Sequence, residues 1–267
     1  MTRHLLIIGA QRCGTTYLAS LLDAHPEVTM ARPARPEPKV FLSAEKSGRG
    51  LGWYDATFFA HATTEKVLGE KSTSYLEDAD APARAASVLG EPEILVMLRD
   101  PVQRAVSNWR FSTDHGLEER PLPEALEADL SGEQPWSHTG ASVSPYAYLQ
   151  RGRYSRYLAP WLAAFPRTLS VLFLEELRAD TDRIGEVYAA LGVDGSFRPE
   201  GADRPVNESE EQAPELAPAF RRLLDEYFAE DAVQLGRQLR RDPPWAARLQ
   251  PTDTRHSPVT PNRDTDR

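Results

Sequence analysis

The chain has 267 residues, of which 40% are hydrophobic and 27% are charged. This composition excludes an intrinsically disordered chain, and the length is enough to bury a sizeable core. Acidic residues outnumber basic ones by 40 to 31, giving a net charge of −9, so we do not expect a nucleic-acid-binding protein.

The sequence also predicts an intracellular, cytoplasmic protein. Cys13 is the only cysteine, which excludes an intrachain disulfide and fits a reducing compartment. The first apolar run, Leu5 to Ala10, is too short for a signal peptide or a membrane span. No later run approaches the length of a transmembrane helix, so no transmembrane segment is expected.

Strand and helix patterns alternate along the chain. Apolar runs of strand length occur at residues 4–9, 28–30, 67–70, 94–98 and 169–174. Helical spacing of apolar residues occurs at 14–25, 81–89, 101–109, 154–165, 184–191 and 216–228. This alternation predicts an α/β fold with a central parallel sheet flanked by helices, and ligands on such sheets bind at the carboxyl ends of the strands.

The remaining segments lack a clear pattern. Residues 31–60 predict a long functional loop with aromatic patches, and residues 112–150 an insertion with partial helix. We expect a single domain over residues 1–250 and a disordered polar tail over residues 251–267.

A glycine-flanked turn joins the first predicted strand to the first helix. Its sequence, Gly9-Ala-Gln-Arg-Cys-Gly14-Thr-Thr, is typical of a P-loop-like turn, where backbone N–H groups and the helix N-terminus favour a phosphate. Thr15 stands where nucleoside triphosphatases have lysine, and the cation comes earlier, as Arg12, which argues against an ordinary triphosphatase. A plain glycine turn without a ligand is the alternative.

A second motif follows the strand at 94–98. Asp100 is a good N-cap and Pro101 suits the first position of the helix that follows. Arg99 leaves the end of the strand, and Ser107 lies about two helical turns further along. A guanidinium with a nearby hydroxyl suits a second phosphate, although Arg99 could instead pair with Asp100.

Together these two motifs resemble those of the sulfotransferases that use 3′-phosphoadenosine-5′-phosphosulfate (PAPS). Residues 36–41, Pro-Glu-Pro-Lys-Val-Phe, resemble the loop that carries a catalytic glutamate in the heparan-sulfate branch. Residues 69–75, Gly-Glu-Lys-Ser-Thr-Ser-Tyr, are similar to a family segment whose lysine lies at the active site, and residues 23–28 resemble the tyrosylprotein branch. The resemblance extends over about residues 4–180.

The resemblance implies a P-loop-like three-layer fold and a sulfotransferase with PAPS as its sulfuryl donor. The first loop of the family holds the 5′-phosphosulfate, which implies cofactor-binding roles for Gln11, Arg12, Cys13, Gly14, Thr15 and Thr16. The arginine and serine of the second motif hold the 3′-phosphate, which implies the same for Arg99 and Ser107.

The resemblance also implies four catalytic residues. Glu37 would accept the proton of the acceptor, and Arg12 and Lys71 would stabilise the leaving group. Lys39 or Lys71 is a candidate proton donor. We expect no metal site, because the sequence has no His/Cys/Asp cluster with ligand spacing.

Several alternatives stay open at the level of sequence. Glu37 could be a surface residue in a proline-rich turn, Lys39 and Lys71 could be solvated charges, and His115 is a rival general base. The basic C-terminal loop of the heparan-sulfate branch has no clear counterpart here, since Arg198 and Arg204 are weak substitutes. A small-molecule kinase or a non-catalytic nucleotide-binding module remains the alternative function.

The acceptor is constrained mainly by charge. Residues 112–150 hold seven acidic residues and one arginine, so an insertion that flanks the acceptor cleft would repel a polyanion such as heparan sulfate. We therefore expect a neutral or cationic, small or lipid-like acceptor, such as a glycolipid or secondary metabolite, sulfated on a hydroxyl in preference to an amine. The candidates to line its site are Trp53, Tyr54, Phe58, Phe59, Trp109, Phe111 and Trp136.

Overall fold

Five parallel strands form the centre of the protein in the computed structural model, which describes residues 2–132, 134–136, 144–200 and 214–249. The strands are β1 (Arg3–Gly9), β2 (Val28–Met30), β3 (Val67–Lys71), β4 (Glu93–Leu98) and β5 (Leu169–Phe173). They are arranged in the order β2-β3-β1-β4-β5. The predicted parallel sheet is confirmed.

Helices connect and flank these strands. They are α1 (Thr15–Asp23), α2 (Ala44–Ser47), α3 (Gly50–Phe58), α4 (Ala81–Leu89), α5 (Pro101–Asp114), α6 (Leu122–Leu130), α7 (Tyr154–Ala164), α8 (Leu174–Ala179), α9 (Arg183–Ala190), α10 (Pro218–Leu239) and α11 (Ala246–Leu249). The part of the chain that the structure describes contains no helix with the length and hydrophobicity of a membrane span.

The central position of β1 follows from its side chains. Leu5, Leu6, Ile7 and Ile8 are all fully buried, because helices cover one face of the sheet and other helices cover the opposite face. Burying each of these side chains contributes roughly 1.5–3 kcal/mol, so this strand stabilises both layers of the core.

The register of the sheet brings three strand ends together. Ile7 of β1 pairs with Lys71 at the end of β3, and Gly9 pairs with Val96 near the end of β4. The segments that follow β1, β3 and β4 therefore leave the sheet side by side, at the edge where the sequence predicts ligand binding.

The predicted loop over residues 31–60 is wrong as a description of local structure. A 3₁₀ turn at Val40–Leu42 and the helices α2 and α3 occupy most of it. These helices are short, so their stability depends on buried contacts such as those of Phe41 and Tyr54 with the core, which leave no clear helical period in the sequence. Leu174, predicted as a strand residue, instead begins α8.

The C-terminal helix α10 is anchored to α7 through a buried carboxylate. Asp231 accepts hydrogen bonds from the backbone N–H of Ser155 at 3.1 Å and from its hydroxyl at 2.5 Å. The predicted tail at 251–267 lies outside the described residues, so its disorder and the single-domain boundary at residue 250 stay predictions.

Candidate functional site

The glycine turn between β1 and α1 has the geometry of an anion-binding loop. Gly14 precedes α1 with φ +84°, a left-handed conformation that favours glycine. No side chain caps the first turn of α1, and that turn has no acidic residue. The first N–H groups of a helix lack intrahelical partners, so this end of α1 favours an anion.

Arg12 of this turn lies among other cations. Its Nε donates to the Ser107 hydroxyl at 3.3 Å, and its guanidinium stacks on the ring of Phe111, 4.7 Å from the centroid. Burial, and then the charges of Arg104 and Arg99, lower the pKa of Arg12. Like charges gathered at one half-buried place favour a negatively charged ligand.

The second motif begins at the end of β4 and continues on α5. Asp100 caps α5 by accepting the N–H groups of Val102 at 2.9 Å and Gln103 at 3.2 Å, as the sequence predicts. Arg99 donates to the side-chain oxygen of Gln103 at 3.2 Å. Gln103 and Ser107 are one helical turn apart on α5, and Arg99, which precedes the helix, contacts the first of them.

Arg99 and Asp100 do not form the ion pair that was the alternative to a phosphate site. The Asp100 carboxylate instead accepts from Arg248 of α11 at 2.5 Å and lies 3.5 Å from Arg221 of α10. Arg221 and Arg248 thus neutralise the Asp100 charge, while Arg99 contacts Gln103 at the edge of the sheet where the strands end.

Tyr154, which sequence reasoning left without a site role, joins the two motifs. Its hydroxyl donates to the backbone carbonyl of Arg99 at 2.7 Å and lies 3.5 Å from the Cys13 sulfur. The ring is fully buried at the start of α7. This contact fixes the distance between the first loop and the end of β4.

The carboxylate of Glu37 and the ammonium of Lys71 are in contact at the end of β3. Glu37 forms an ion pair with Lys71, and both side chains are less than one-fifth exposed. Thr73 donates its backbone N–H to Glu37 at 3.1 Å and its hydroxyl at 3.3 Å. Glu37 is therefore not a surface residue of a turn, and Lys71 is not a solvated strand-end charge.

The segment with Glu37 and the segment after β3 run beside the glycine turn. Ser72 donates its N–H to Ile7 at 3.1 Å and Leu76 donates to Ile8 at 2.9 Å. A Cβ added at Gly9 would lie 2.8 Å from the Cβ of Leu76, which shows how closely the two segments approach. Lys39 immediately precedes the 3₁₀ turn and donates its backbone N–H to the Ser72 hydroxyl.

Gln11 is held from two sides by residues that sequence reasoning did not select. The buried Arg151 donates to its side-chain oxygen at 2.9 Å, and the Gln11 amide donates to Ser74 at 3.4 Å. Arg151 also pairs with Glu77 at 3.4 Å. No local motif marks Arg151, because its partner is 140 residues away in the sequence.

A cavity of about 240 Å³ opens beside Arg99. Its other lining residues come from α5, α8 and the C-terminal segment: Asp100, Gln103, Leu174, Glu175, Arg178, Pro244, Trp245 and Arg248. Arg248 is thus the residue of the C-terminal segment that brings positive charge to the cavity beside Arg99. Arg198, the candidate from sequence, instead pairs with Asp182 at 2.7 Å, and Arg204 lies outside the described residues.

The sequence model of a protein family, the sulfotransferase domain, matches residues 2–212 of this chain. The chain belongs to the sulfotransferase family. The predicted resemblance and the expectation of a sulfotransferase enzyme are therefore confirmed at the level of the family.

Curated relatives of this sulfotransferase include enzymes named for heparan sulfate. The bifunctional heparan sulfate N-deacetylase/N-sulfotransferase 1 of Caenorhabditis elegans is 27% identical in an alignment of 266 positions, which covers 90% of this chain and 30% of the nematode protein. Mouse heparan sulfate glucosamine 3-O-sulfotransferase 3B1 is 30% identical over 182 residues, 68% of this chain and 43% of the mouse protein. The chain thus spans less than half of either relative.

Solved structures show the same fold. A sulfotransferase from Alicyclobacillus acidocaldarius has a TM-score of 0.72 at 24% identity, covering 91% of this chain and 98% of that one. The sulfotransferase domain from the Synechococcus PCC 7002 olefin synthase has a TM-score of 0.50 at 16% identity, with 91% and 95% coverage.

The aromatic residues of this sulfotransferase divide between core and site. Tyr54 and Phe59 are buried in the core, so their predicted acceptor-lining role is wrong. Phe111 is 38% exposed beside Arg12, at the end of α5. His115, the rival base, lies against Phe111, with ring centroids 4.0 Å apart, whereas Glu37 lies against Lys71.

Cys13 lies within the loop but is shielded from reagents. It is fully buried, and burial raises the pKa of its thiol to about 11. At pH 8 we expect thiol-specific dyes to label the native sulfotransferase at least about 100-fold more slowly than the unfolded chain, because the thiolate is the reactive form. A stopped-flow labelling assay, with Cys13→Ser as the blank, measures both rates. Native labelling as fast as that of the unfolded chain would contradict the buried placement.

Proposed function

We propose that this chain transfers a sulfuryl group from PAPS to a hydroxyl group of an acceptor. The observation that carries the proposal is the hydrogen bond between Arg12 and Ser107, because it joins the loop after β1 to the helix after β4. One nucleotide with a phosphate group at each end can then contact both motifs at once.

The residues present fit such a nucleotide. The uncapped start of α1 and Arg12 suit the 5′-phosphosulfate, while Arg99 and Ser107 suit the 3′-phosphate. The cluster of Arg12, Arg99 and Arg104 supplies positive charge that an anionic ligand would neutralise. PAPS, when bound, supplies a sulfuryl group that is activated by attachment to phosphate.

Glu37 is the proposed general base. Its carboxylate is oriented by Lys71 and by two hydrogen bonds from Thr73, so one direction is set for accepting the proton of an acceptor hydroxyl. Such proton transfer typically accelerates a reaction by about 10²–10⁴. Since the hydroxyl is a poor nucleophile while protonated, this residue controls the attack.

Arg12 and Lys71 are the proposed electrostatic partners of the departing phosphate. Arginine stays protonated near neutral pH, so Arg12 acts by its charge and not as a proton donor. Lys71 pairs with Glu37, and its backbone lies beside Ile7 of β1, two residues before Gly9. Together with loop N–H groups it can stabilise negative charge on the leaving group. Lys39 remains a proposed second ammonium, since its backbone lies on the same segment as Glu37.

Nucleotide selectivity tests the two-phosphate site against the alternative of a kinase. We expect calorimetry to give tighter binding of 3′-phosphoadenosine-5′-phosphate than of MgATP. Arg99→Ala should weaken binding of this nucleotide about 10- to 100-fold, since hydrogen bonds to charged groups contribute about 1.5–3 kcal/mol, and it should leave adenosine 5′-phosphate binding nearly unchanged. Arg156→Ala removes an exposed charge on α7 and is the matched control. Preference for MgATP would support the kinase.

A conservative substitution tests the general base and separates an enzyme from a nucleotide-binding module. Glu37→Gln should lower turnover by at least about 10² while the nucleotide dissociation constant changes little. Glu45→Gln, an exposed glutamate of α2, is the control for loss of one charge from the same segment. Transfer of labelled sulfate measures turnover. Equal turnover of Glu37→Gln and the unaltered chain would remove Glu37 from this role, and absence of transfer by the unaltered chain would favour a binding module.

We propose a neutral or cationic acceptor of small-molecule, glycolipid or secondary-metabolite type. Two acidic residues of the insertion are used internally, because Glu118 pairs with Arg120 at 2.7 Å and Asp129 accepts the backbone N–H of Leu149. The repulsion argument therefore rests on the exposed acids, which in the described part of the insertion are Asp114, Glu119, Glu124 and Glu127; Glu133 lies outside the described residues. Asp114 is close enough for its charge to raise the pKa of Arg12, against the larger lowering by burial, which supports an insertion beside the transfer site.

An acceptor panel tests this charge argument. We expect faster sulfate transfer to a neutral hydroxylated glycolipid than to heparan sulfate. Replacing Glu119, Glu124 and Glu127 together by glutamine should raise transfer to heparan sulfate, because it removes repulsion, and should leave the neutral acceptor nearly unaffected. Efficient transfer to the polyanion by the unaltered chain would overturn the argument.

The location we propose is the cytoplasm. Its support is the single cysteine, which is buried as a thiol and needs no oxidising compartment for folding.

A further inference from the structure

A carboxylate with no part in the proposed reaction lies directly behind the site. Glu70 of β3 is fully buried and precedes Lys71 in the chain. Its Oε2 accepts the hydroxyl of Tyr54, and its Oε1 accepts the hydroxyls of Ser72 and Tyr75, each at 2.6 Å. Burial raises the pKa of Glu70, and the three hydroxyl donors oppose that shift. Burial of a carboxyl group lowers the stability of the fold unless hydrogen bonds offset the loss of hydration, and Glu70 has three such bonds.

Two of the three donors pass their hydrogen bonds on to the segment that carries Glu37. The Ser72 hydroxyl accepts the backbone N–H of Lys39 at 2.9 Å, and the Tyr75 hydroxyl accepts that of Phe41 at 3.2 Å. Each hydroxyl thus donates to Glu70 and accepts from residues 39–41. The Tyr54 hydroxyl donates to the same carboxylate, and its ring packs against Phe41 with centroids 5.8 Å apart.

These two hydroxyls, which each link Glu70 to a backbone N–H of residues 39–41, form relays to a backbone segment with an uncommon conformation. Lys39 has φ +51°, a left-handed conformation that is uncommon for a residue other than glycine. Its N–H is one of the two that the relays bind. Glu37 is two residues earlier, so the direction of its carboxylate depends on this turn as well as on Lys71 and Thr73.

We propose that Glu70 is a positioning residue, which sets the turn at Lys39 through Ser72 and Tyr75 and thereby places the Glu37 carboxylate. The inference rests on the proposed role of Glu37 as general base. The proposal distinguishes Glu70 from an ordinary core residue. Substitutions that break the connection through Ser72 or Tyr75 should lower turnover, whereas substitutions that only lower stability should not.

Two tyrosines provide a matched pair for the test. Tyr54→Phe and Tyr75→Phe each remove one buried hydroxyl that donates to Glu70 at 2.6 Å. Only Tyr75→Phe also removes the acceptor of the Phe41 N–H. Ser72→Ala interrupts the second relay in the same way, and Glu70→Gln alters the carboxylate itself.

The expected result is a split between the variants in steady-state transfer of labelled sulfate. Tyr75→Phe and Ser72→Ala should lower kcat about 10-fold or more with little change in KM, since small misplacements of a reacting group are costly. Tyr54→Phe should keep kcat within about twofold, although it also lowers the melting temperature by removing a buried hydrogen bond to Glu70. Rates are divided by the fraction of protein that binds 3′-phosphoadenosine-5′-phosphate in calorimetry, which removes losses from unfolding. Equal kcat in all three variants would overturn the proposal.

A double-variant comparison tests the connection to Glu37. In the Glu37→Gln background, Tyr75→Phe and Glu70→Gln should cause little further loss of turnover, because the positioned group is already absent. Losses that multiply independently would contradict the proposal.

An activity-independent measurement separates this inference from the proposed function. Amide hydrogen exchange of residues 37–42 should be faster in Tyr75→Phe and Ser72→Ala than in Tyr54→Phe, whatever reaction the chain catalyses. Unchanged exchange would overturn the positioning role even if sulfate transfer is observed. Faster exchange without any sulfate transfer by the unaltered chain would instead refute the proposed function.

Discussion

The position of β1 between β3 and β4 is the constraint on which the site depends. Parallel pairing sends the segments after all three strands to the same edge, and the buried aliphatic side chains of β1 fix that arrangement within the core. The glycine turn follows β1, Arg99 follows β4, and Lys71 is the last residue of β3. Their proximity is therefore a consequence of topology, and the local contacts refine it.

Charge at this edge is divided into two zones with different partners. Around Arg12, the neighbouring cations Arg104 and Arg99 lower the pKa of its guanidinium in the same direction as burial, and the charge of Asp114 opposes them less strongly. Around Glu37, by contrast, an ammonium and two donors from Thr73 meet one carboxylate. The first zone suits an anionic ligand and the second suits the movement of a proton.

Sequence reasoning captured the features that are encoded locally. The strands, the helix cap at Asp100 and the glycine turn depend on neighbouring residues, and all three appear in the structure. The sequence predicts a loop at 31–60 because the helices of this segment are stabilised by burial against the core and show no helical period of their own. Tyr154 and Arg151 were missed as site residues for a related reason, since each contacts the first loop across about 140 residues of chain. Such pairings leave no periodic trace in a single sequence.

The C-terminal hold on Asp100 has an implication for how charges in a motif should be interpreted. Arg99 and Asp100 are covalent neighbours of opposite sign, yet the aspartate is claimed by arginines that lie more than a hundred positions later. The charges of Arg99 and Asp100 sum to zero, but the electrostatic potential at Arg99 is positive because Asp100 is neutralised by other arginines. Arg221 and Arg248, near the C-terminus, thus raise the electrostatic potential at a cavity whose phosphate-binding candidate, Arg99, lies in the first half of the sequence.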